Sequence, residues 1–217
     1  MSEMERIIAT AMKRVKDYFS RLGAEPSKGY IHLAGGLYLL VRTQGLAKVY
    51  VRFAKELGRA ACNLLFYQLG YNIARDECRQ ISSFYGIDNP LEKMVMGPLF
   101  FAYIGWGTVE ILKANFVQSE DFVLLWEAPQ SSYAKTYKEE LGEAEHPVCY
   151  MLAGYSAGWC SEAFNLPLET REIFCSAAGS ERCRFLTAHQ TKIRELLEED
   201  WIHKPRSEFK ALVIKPA

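Results

Sequence analysis

Four of the chain's six cysteines fall between Cys149 and Cys183. Thiols crowded in this way in a reducing compartment are ligands for a soft metal more often than disulfide partners. Glu172 and Cys175 stand three residues apart, and Cys183 follows eight later, across the turn sequence Ala178-Gly179-Ser180. If 173–176 and 182–185 pair as a hairpin, Cys175 and Cys183 come together on its two strands. A third thiolate must arrive from upstream, from Cys149 or Cys160. Eleven residues separate those two. On a continuous helix that is about 16 Å, against zinc–sulfur bonds of about 2.3 Å, so only one of them can reach the ion. His146 and His189 are further candidate ligands. Three thiolates and a carboxylate leave no open coordination position, which is the character of a structural site. The alternative is that these cysteines are small buried hydrophobes.

Other chemistry is thin. Gly154-Tyr155-Ser156-Ala157-Gly158 fits G-x-S-x-G in letters, but the serine lies inside a helical pattern rather than at a strand-to-helix turn. No phosphate-binding G-x-x-x-x-G-K-[ST] loop, dinucleotide fingerprint or H-E-x-x-H pair occurs. Glu139-Glu140 and Glu198-Glu199 read as helix-surface charges.

The elements that must position these residues follow from periodicity. Residues 3–22 form an amphipathic helix with Ile7, Ala11 and Val15 on one face. Gly23–Gly29 is a turn or linker, and Tyr30–Val41 is extended with a turn at Gly35-Gly36. Leu46–Glu56 and Gly58–Phe84 are helices, the second with Leu65, Leu69, Ile73 and Glu77 on one face and Gly70 at a close contact or bend. Asp88-Asn89-Pro90 starts a new element that runs apolar to Ile104. Thr108–Phe116 and Phe122–Trp126 are strands. Tyr133–Glu140 and Cys149–Phe164 are helices, 169–187 is a hairpin, and Thr191–Trp201 is a helix, read as solvated, with an unassigned tail after Pro205. This order predicts α+β, mixed helices with antiparallel strands, rather than a doubly wound sheet.

Bulk properties agree with an ordinary globular core: 217 residues, 49% hydrophobic and 24% charged. With 26 basic and 26 acidic residues there is no general field to attract nucleic acid or anionic membrane. The charged N-terminus has no apolar core of a secretory signal, and no apolar stretch is long enough to span a bilayer. The reading is a cytoplasmic protein.

The stretch HPVCYMLAGYSAGWCSEAF, with ETREIFCSAAGSERCRF after it, resembles the vinyl-4-reductase domain. The chain before it, in YQLGYNIARDE, MGPLFFAYIGWGTVEI and FVLLWE, resembles the N-terminal sensor region of phenol- and xylene-responsive bacterial transcription activators. Together the resemblance spans about residues 28–190. It implies one Zn2+ held by Cys149, Glu172, Cys175 and Cys183, at spacings of 23, 3 and 8 residues, and so favours Cys149 over Cys160. It also implies the nitric-oxide-signalling/Golgi-transport ligand-binding fold with a zinc-binding lobe, and a homodimer joined through N-terminal elements.

In the phenol sensors a Trp and a His are implied to hold the phenolic hydroxyl. The Trp matches Trp126, whereas the His position falls on Phe101, which can neither donate nor accept. The expected lining is Met94, Phe101, Tyr103, Trp106, Ile111, Trp126 and Trp159, suited to a less polar or larger molecule than phenol, or filled by its own side chains. The implied division is a dimerisation region over 1–45, a ligand-binding core over 46–146, a zinc-binding lobe over 147–190, and a C-terminal helix and tail over 191–217. The activators carry an ATPase and a DNA-binding module after the sensor, so the chain is expected to be a stand-alone sensor or an excised one, with no direct nucleic-acid contact. The expected function is a zinc-stabilised sensor for a hydrophobic or aromatic compound, signalling by conformational change, and not an enzyme. The alternatives are a scaffold resembling transport-tethering subunits, or an accessory protein of tetrapyrrole (vinyl reductase) metabolism.

Overall fold

The computed structural model describes residues 2–214 and 216. It contains seven α-helices and two antiparallel sheets among those residues. Helix α1 (Glu3–Phe19) starts at a capping box in which Ser2 and Glu5 satisfy each other's backbone N–H groups. Strands β1 (Leu22–Glu25), β2 (Tyr30–Leu33) and β3 (Gly36–Tyr38) form a small meander. The first part of the expected linker is therefore β1, with residues 26–29 left as a turn. Helices α2 (Thr43–Leu57), α3 (Arg59–Tyr85) and α4 (Pro90–Tyr103) follow, the last capped by Asn89 Oδ1 on the N–H groups of Leu91 and Glu92.

The second sheet has five strands in the order β6 (Leu168–Phe174), β7 (Cys183–His189), β5 (Val123–Ala128), β4 (Val109–Asn115), β8 (Leu212–Ile214), all antiparallel. Helices α5 (Ser132–Leu141) and α6 (Tyr150–Phe164) lie between β5 and β6 in sequence. Helix α6 packs between α3 and the sheet and against α4, which is why it is apolar all round and buries Met151–Tyr155 and Ala157–Ser161 alike.

The approach of α3 and α6 depends on glycine. A Cβ on Gly70 would sit 2.0 Å from the Met151 carbonyl oxygen. On Gly154 it would be 1.9 Å from the Tyr67 oxygen, and on Gly158 2.1 Å from the Tyr71 oxygen. The expected face of α3 needs correction for the same reason. Leu65 and Leu69 are half exposed. The packed face is Cys62, Phe66, Gly70, Ala74, Glu77, Cys78 and Ile81, because small residues, not leucines, let two backbones come this close.

The C-terminal segment also departs from expectation. Only Ile193–Leu197 is α-helical (α7), followed by a 3-10 turn at Asp200–His203. It is not a solvated helix: Ile193 and Ile202 are buried against Leu112, Leu125, Leu186 and Ala188 on the outer face of the sheet. The tail then adds β8 to the edge beside β4. A buried Arg184–Glu127 pair, at 2.7 Å, fastens this segment, since Arg184 also donates to the carbonyls of Ile202 and Lys204. Arg206 adds a second tie to Glu110 at 3.0 Å. No helix among the described residues is long and apolar enough to cross a membrane.

Candidate functional site

Four ligand-type side chains converge where α6, β6 and β7 meet. Cys149 precedes the first turn of α6, Glu172 lies at the irregular end of β6, Cys175 follows that strand, and Cys183 opens β7. Their ligand atoms all fall within 4.8 Å of one another. Cys149 Sγ is 3.9 Å from Cys175 Sγ and 3.8 Å from Cys183 Sγ. Two sulfurs on one tetrahedral zinc, each at about 2.3 Å, stand about 3.8 Å apart, so the spacing fits an ion. All three thiols are free and buried. One Glu172 oxygen accepts from the Cys149 backbone N–H at 2.9 Å, while the other is buried with no partner. A buried carboxylate oxygen left unmatched costs free energy, and a metal ion would match it.

The electrostatics carry the same sense. Hydrogen bonds from Cys149 and Cys175 pull Cys183 down to about 5, while those contacts push Cys149 well up. Burial, with Cys175 beside it, pushes Glu172 up. A cation would favour deprotonation of all three sulfurs. Cys160 lies outside the cluster and donates to Met94 Sδ at 3.6 Å. His146 and His189 also lie outside it: His146 is exposed, and His189 contacts Thr191.

A separate cavity opens between α4, α6 and the inner face of β4 and β5. It is lined by Met94, Gly97, Pro98, Phe101, Val109, Ile111, Leu124, Trp126, Tyr155, Ser156, Trp159 and Cys160. Alternation along β5 turns Leu124 and Trp126 to this face and Leu125 to the outer one. Trp126 stacks on Phe185 with ring centres 4.3 Å apart, and Phe101 meets it edge-on at 6.0 Å. The free space is about 40 Å³, whereas a dry cavity that takes benzene holds about 150 Å³. A guest must therefore displace part of the lining.

Five expected lining residues reach the cavity: Met94, Phe101, Ile111, Trp126 and Trp159. Tyr103 and Trp106 do not, contrary to expectation. Tyr103 is past the buried part of α4, partly exposed and stacked on Phe19 at 4.7 Å. Trp106 lies in the following turn, where its carbonyl accepts from Ser132. Sequence reasoning missed Tyr155, Ser156 and Cys160, although their spacing from Trp159 places them on one helix face. Gly97 was also missed: it leaves room for the Trp159 indole, whose N–H donates to the Lys93 carbonyl at 3.0 Å. Ser156 shares a hydrogen bond with Thr187 at 3.0 Å in mid-helix, so no nucleophile elbow exists there.

Behind the cavity wall, Tyr155 donates to the buried Glu77 carboxylate, with the Tyr38 side chain from β3 also acting on it. Burial outweighs these bonds and pushes Glu77 up to about 7. The folded protein then holds a proton that the unfolded chain releases near 4.5. The stabilisation is complete below about 4.5 and is lost as pH rises through about 7. Stability measured by urea should accordingly fall over that window relative to Glu77→Gln. A pH-independent difference would show that Glu77 is already ionised in the fold.

Two family models match in succession. The description "Activator of aromatic catabolism" covers residues 17–116, and the vinyl-4-reductase domain covers residues 132–188. The Phenol regulator MopR of Acinetobacter guillouiae is 23% identical over 175 residues, 80% of this chain and 31% of that protein. The Transcriptional regulatory protein XylR of Pseudomonas putida is 22% identical over 170 residues, 78% of this chain and 30% of that protein. The chain thus spans less than a third of the length of these relatives, both of which are named as regulators. In fold it is similar to the phenol-responsive sensory domain of the transcription activator PoxR solved with phenol. The TM-score is 0.75 at 19% identity, over 94% of this chain and 99% of that one. Residues 132–188 thus match the vinyl-4-reductase domain, and the chain as a whole resembles the sensor region of phenol-responsive transcription activators.

Proposed function

We propose that the chain is a small-molecule sensor domain that takes a hydrophobic or aromatic compound into the cavity at Trp126 and Phe101 and signals by changing conformation. The observation that carries this reading is one buried polar atom. Trp126 Nε1–H has no hydrogen-bond partner and belongs to a side chain that lines an otherwise apolar cavity, the usual character of a small-molecule site. Ile111 and Trp126 face the cavity, and their chain neighbours Glu110 and Glu127 hold the C-terminal segment. Displacing the two strands would therefore be felt at residues 200–214.

In this reading Cys149, Glu172, Cys175 and Cys183 hold one Zn2+ that ties α6 to the β6–β7 hairpin, giving the ligand-binding fold a zinc-binding lobe at 147–190. The ion has no substrate position. Residues 46–146 would then supply most of the cavity, with α6 of the zinc lobe closing it, and 191–217 would be the output segment. Residues 1–45 would be a dimerisation region, with a second copy covering exposed Leu37, Leu39, Leu40 and Val41. Apolar runs of this kind are a common interface signature. The protein would work in the cytoplasm with no direct nucleic-acid contact of its own.

Titration with toluene, followed by tryptophan fluorescence, tests the sensor reading. Trp126 and Trp159 both line the cavity, so a saturable change is expected. No response to toluene or to larger alkylbenzenes would sink it and leave a protein-contact scaffold as the better account.

A further inference from the structure

Resting on that sensor reading, we propose that the cavity selects aromatic molecules bearing a hydrogen-bond acceptor and no donor, aryl ketones above all, over phenols and benzylic alcohols. Trp126 is the specificity-determining residue.

Nearly every polar atom around the cavity is already engaged. The Trp159 N–H is spent on the Lys93 carbonyl. The Tyr155 hydroxyl donates to Glu77. Ser156 Oγ is held by Thr187, which is itself held by Thr170 at 2.8 Å. The Cys160 thiol faces Met94 Sδ. Only Trp126 Nε1 is left without a partner, on a side chain that is 3% exposed. An indole nitrogen donates and cannot accept. The neighbour that meets Trp126 edge-on is Phe101, which has no polar atom.

A ketone oxygen would take the Trp126 N–H and bring no hydrogen of its own to be satisfied. A hydroxyl would also take it, but its own O–H would then need an acceptor, and the cavity-lining oxygen with a lone pair to spare, Ser156 Oγ, is already tied to Thr187. Sites with an unpaired polar group discriminate strongly, and more sharply than apolar shape does.

Acetophenone, 1-phenylethanol and cumene have equal heavy-atom counts and nearly equal shape. The first two also partition similarly between water and apolar phases, so their ratio reads the extra O–H. Calorimetric titration of the purified full chain should give acetophenone at least about tenfold tighter than 1-phenylethanol, which is about 1.4 kcal/mol. Trp126→Phe should lower the acetophenone-to-cumene affinity ratio about tenfold while cumene still binds. Phe101→His, which adds an acceptor, should bring 1-phenylethanol and phenol up towards acetophenone.

Should Trp126→Phe not fold, the wild-type ranking and Phe101→His still decide the matter. Equal affinity for the ketone and the alcohol would overturn the selectivity and show that Ser156 accepts from the ligand, leaving the sensor reading intact. Failure of all three to bind would overturn both.

Discussion

Cys175→Ser is expected to lose the metal and, with it, the cooperative fold of the chain. The native protein should carry about one zinc per chain. Apparent binding free energies of structural zinc sites, about 10–16 kcal/mol near neutral pH, match or exceed the net stability of a whole domain, about 5–15 kcal/mol. The Cys149 sulfur stands from those of Cys175 and Cys183 at the separation a tetrahedral ion sets, and Glu172 holds one buried oxygen without a hydrogen-bond partner. Without the ion, α6 and the β6–β7 hairpin lose their common anchor, and α6 is the helix around which α3, α4 and the sheet pack. Elemental analysis and thermal unfolding monitored by circular dichroism check this. Acidification should release zinc, because protons compete for the sulfurs. A metal-free wild type with the same cooperative transition would refute the zinc assignment.

Gly154→Ala should cost at least about 3 kcal/mol, at or beyond the upper end of ordinary overpacking. The added Cβ would meet the Tyr67 carbonyl at 1.9 Å. That neighbour is backbone in the middle of α3, with no side-chain rotamer to turn aside. The helices must separate, and the contact continues on both sides through Gly70 and Gly158. Gly45→Ala is the control: it lies in α2, nothing stands within 4 Å of its added Cβ, and alanine there should stabilise by up to about 1 kcal/mol. Urea unfolding of the pair separates steric clash from helix propensity. Equal behaviour of the two variants would mean that the α3–α6 contact is looser than described.

Much of the secondary structure was legible because its signals are local. Asn89 before Pro90 is a start signal read from side-chain chemistry over neighbouring residues, and the period of Ile7, Ala11 and Val15 marks the first helix. The apolar run into Trp126 reads as a strand from its own composition. The thiol pattern was legible too: one hairpin turn at Gly179 joins Cys175 to Cys183, and helix rise excludes Cys149 and Cys160 from sharing an ion. What was missed depends on partners distant in the chain. Leu65 and Leu69 keep a helical period, but which face of α3 is buried depends on the glycines of α6, far along the chain. The last segment looked solvated because its few apolar residues are scattered, and only the outer face of the sheet makes Ile193 and Ile202 core.

Sequence therefore determined the kinds of chemistry present, crowded thiols and a carboxylate at ligand spacing, while the resemblance to the phenol sensors implied the choice of Cys149 and a histidine where Phe101 stands. Tertiary structure alone decided that Cys160 belongs to the cavity, that Tyr103 and Trp106 do not, and that the Trp126 N–H is left without a partner. The physical reason is that periodicity fixes the direction of a side chain relative to its own element. Whether a buried donor is satisfied depends on every other chain segment that reaches it.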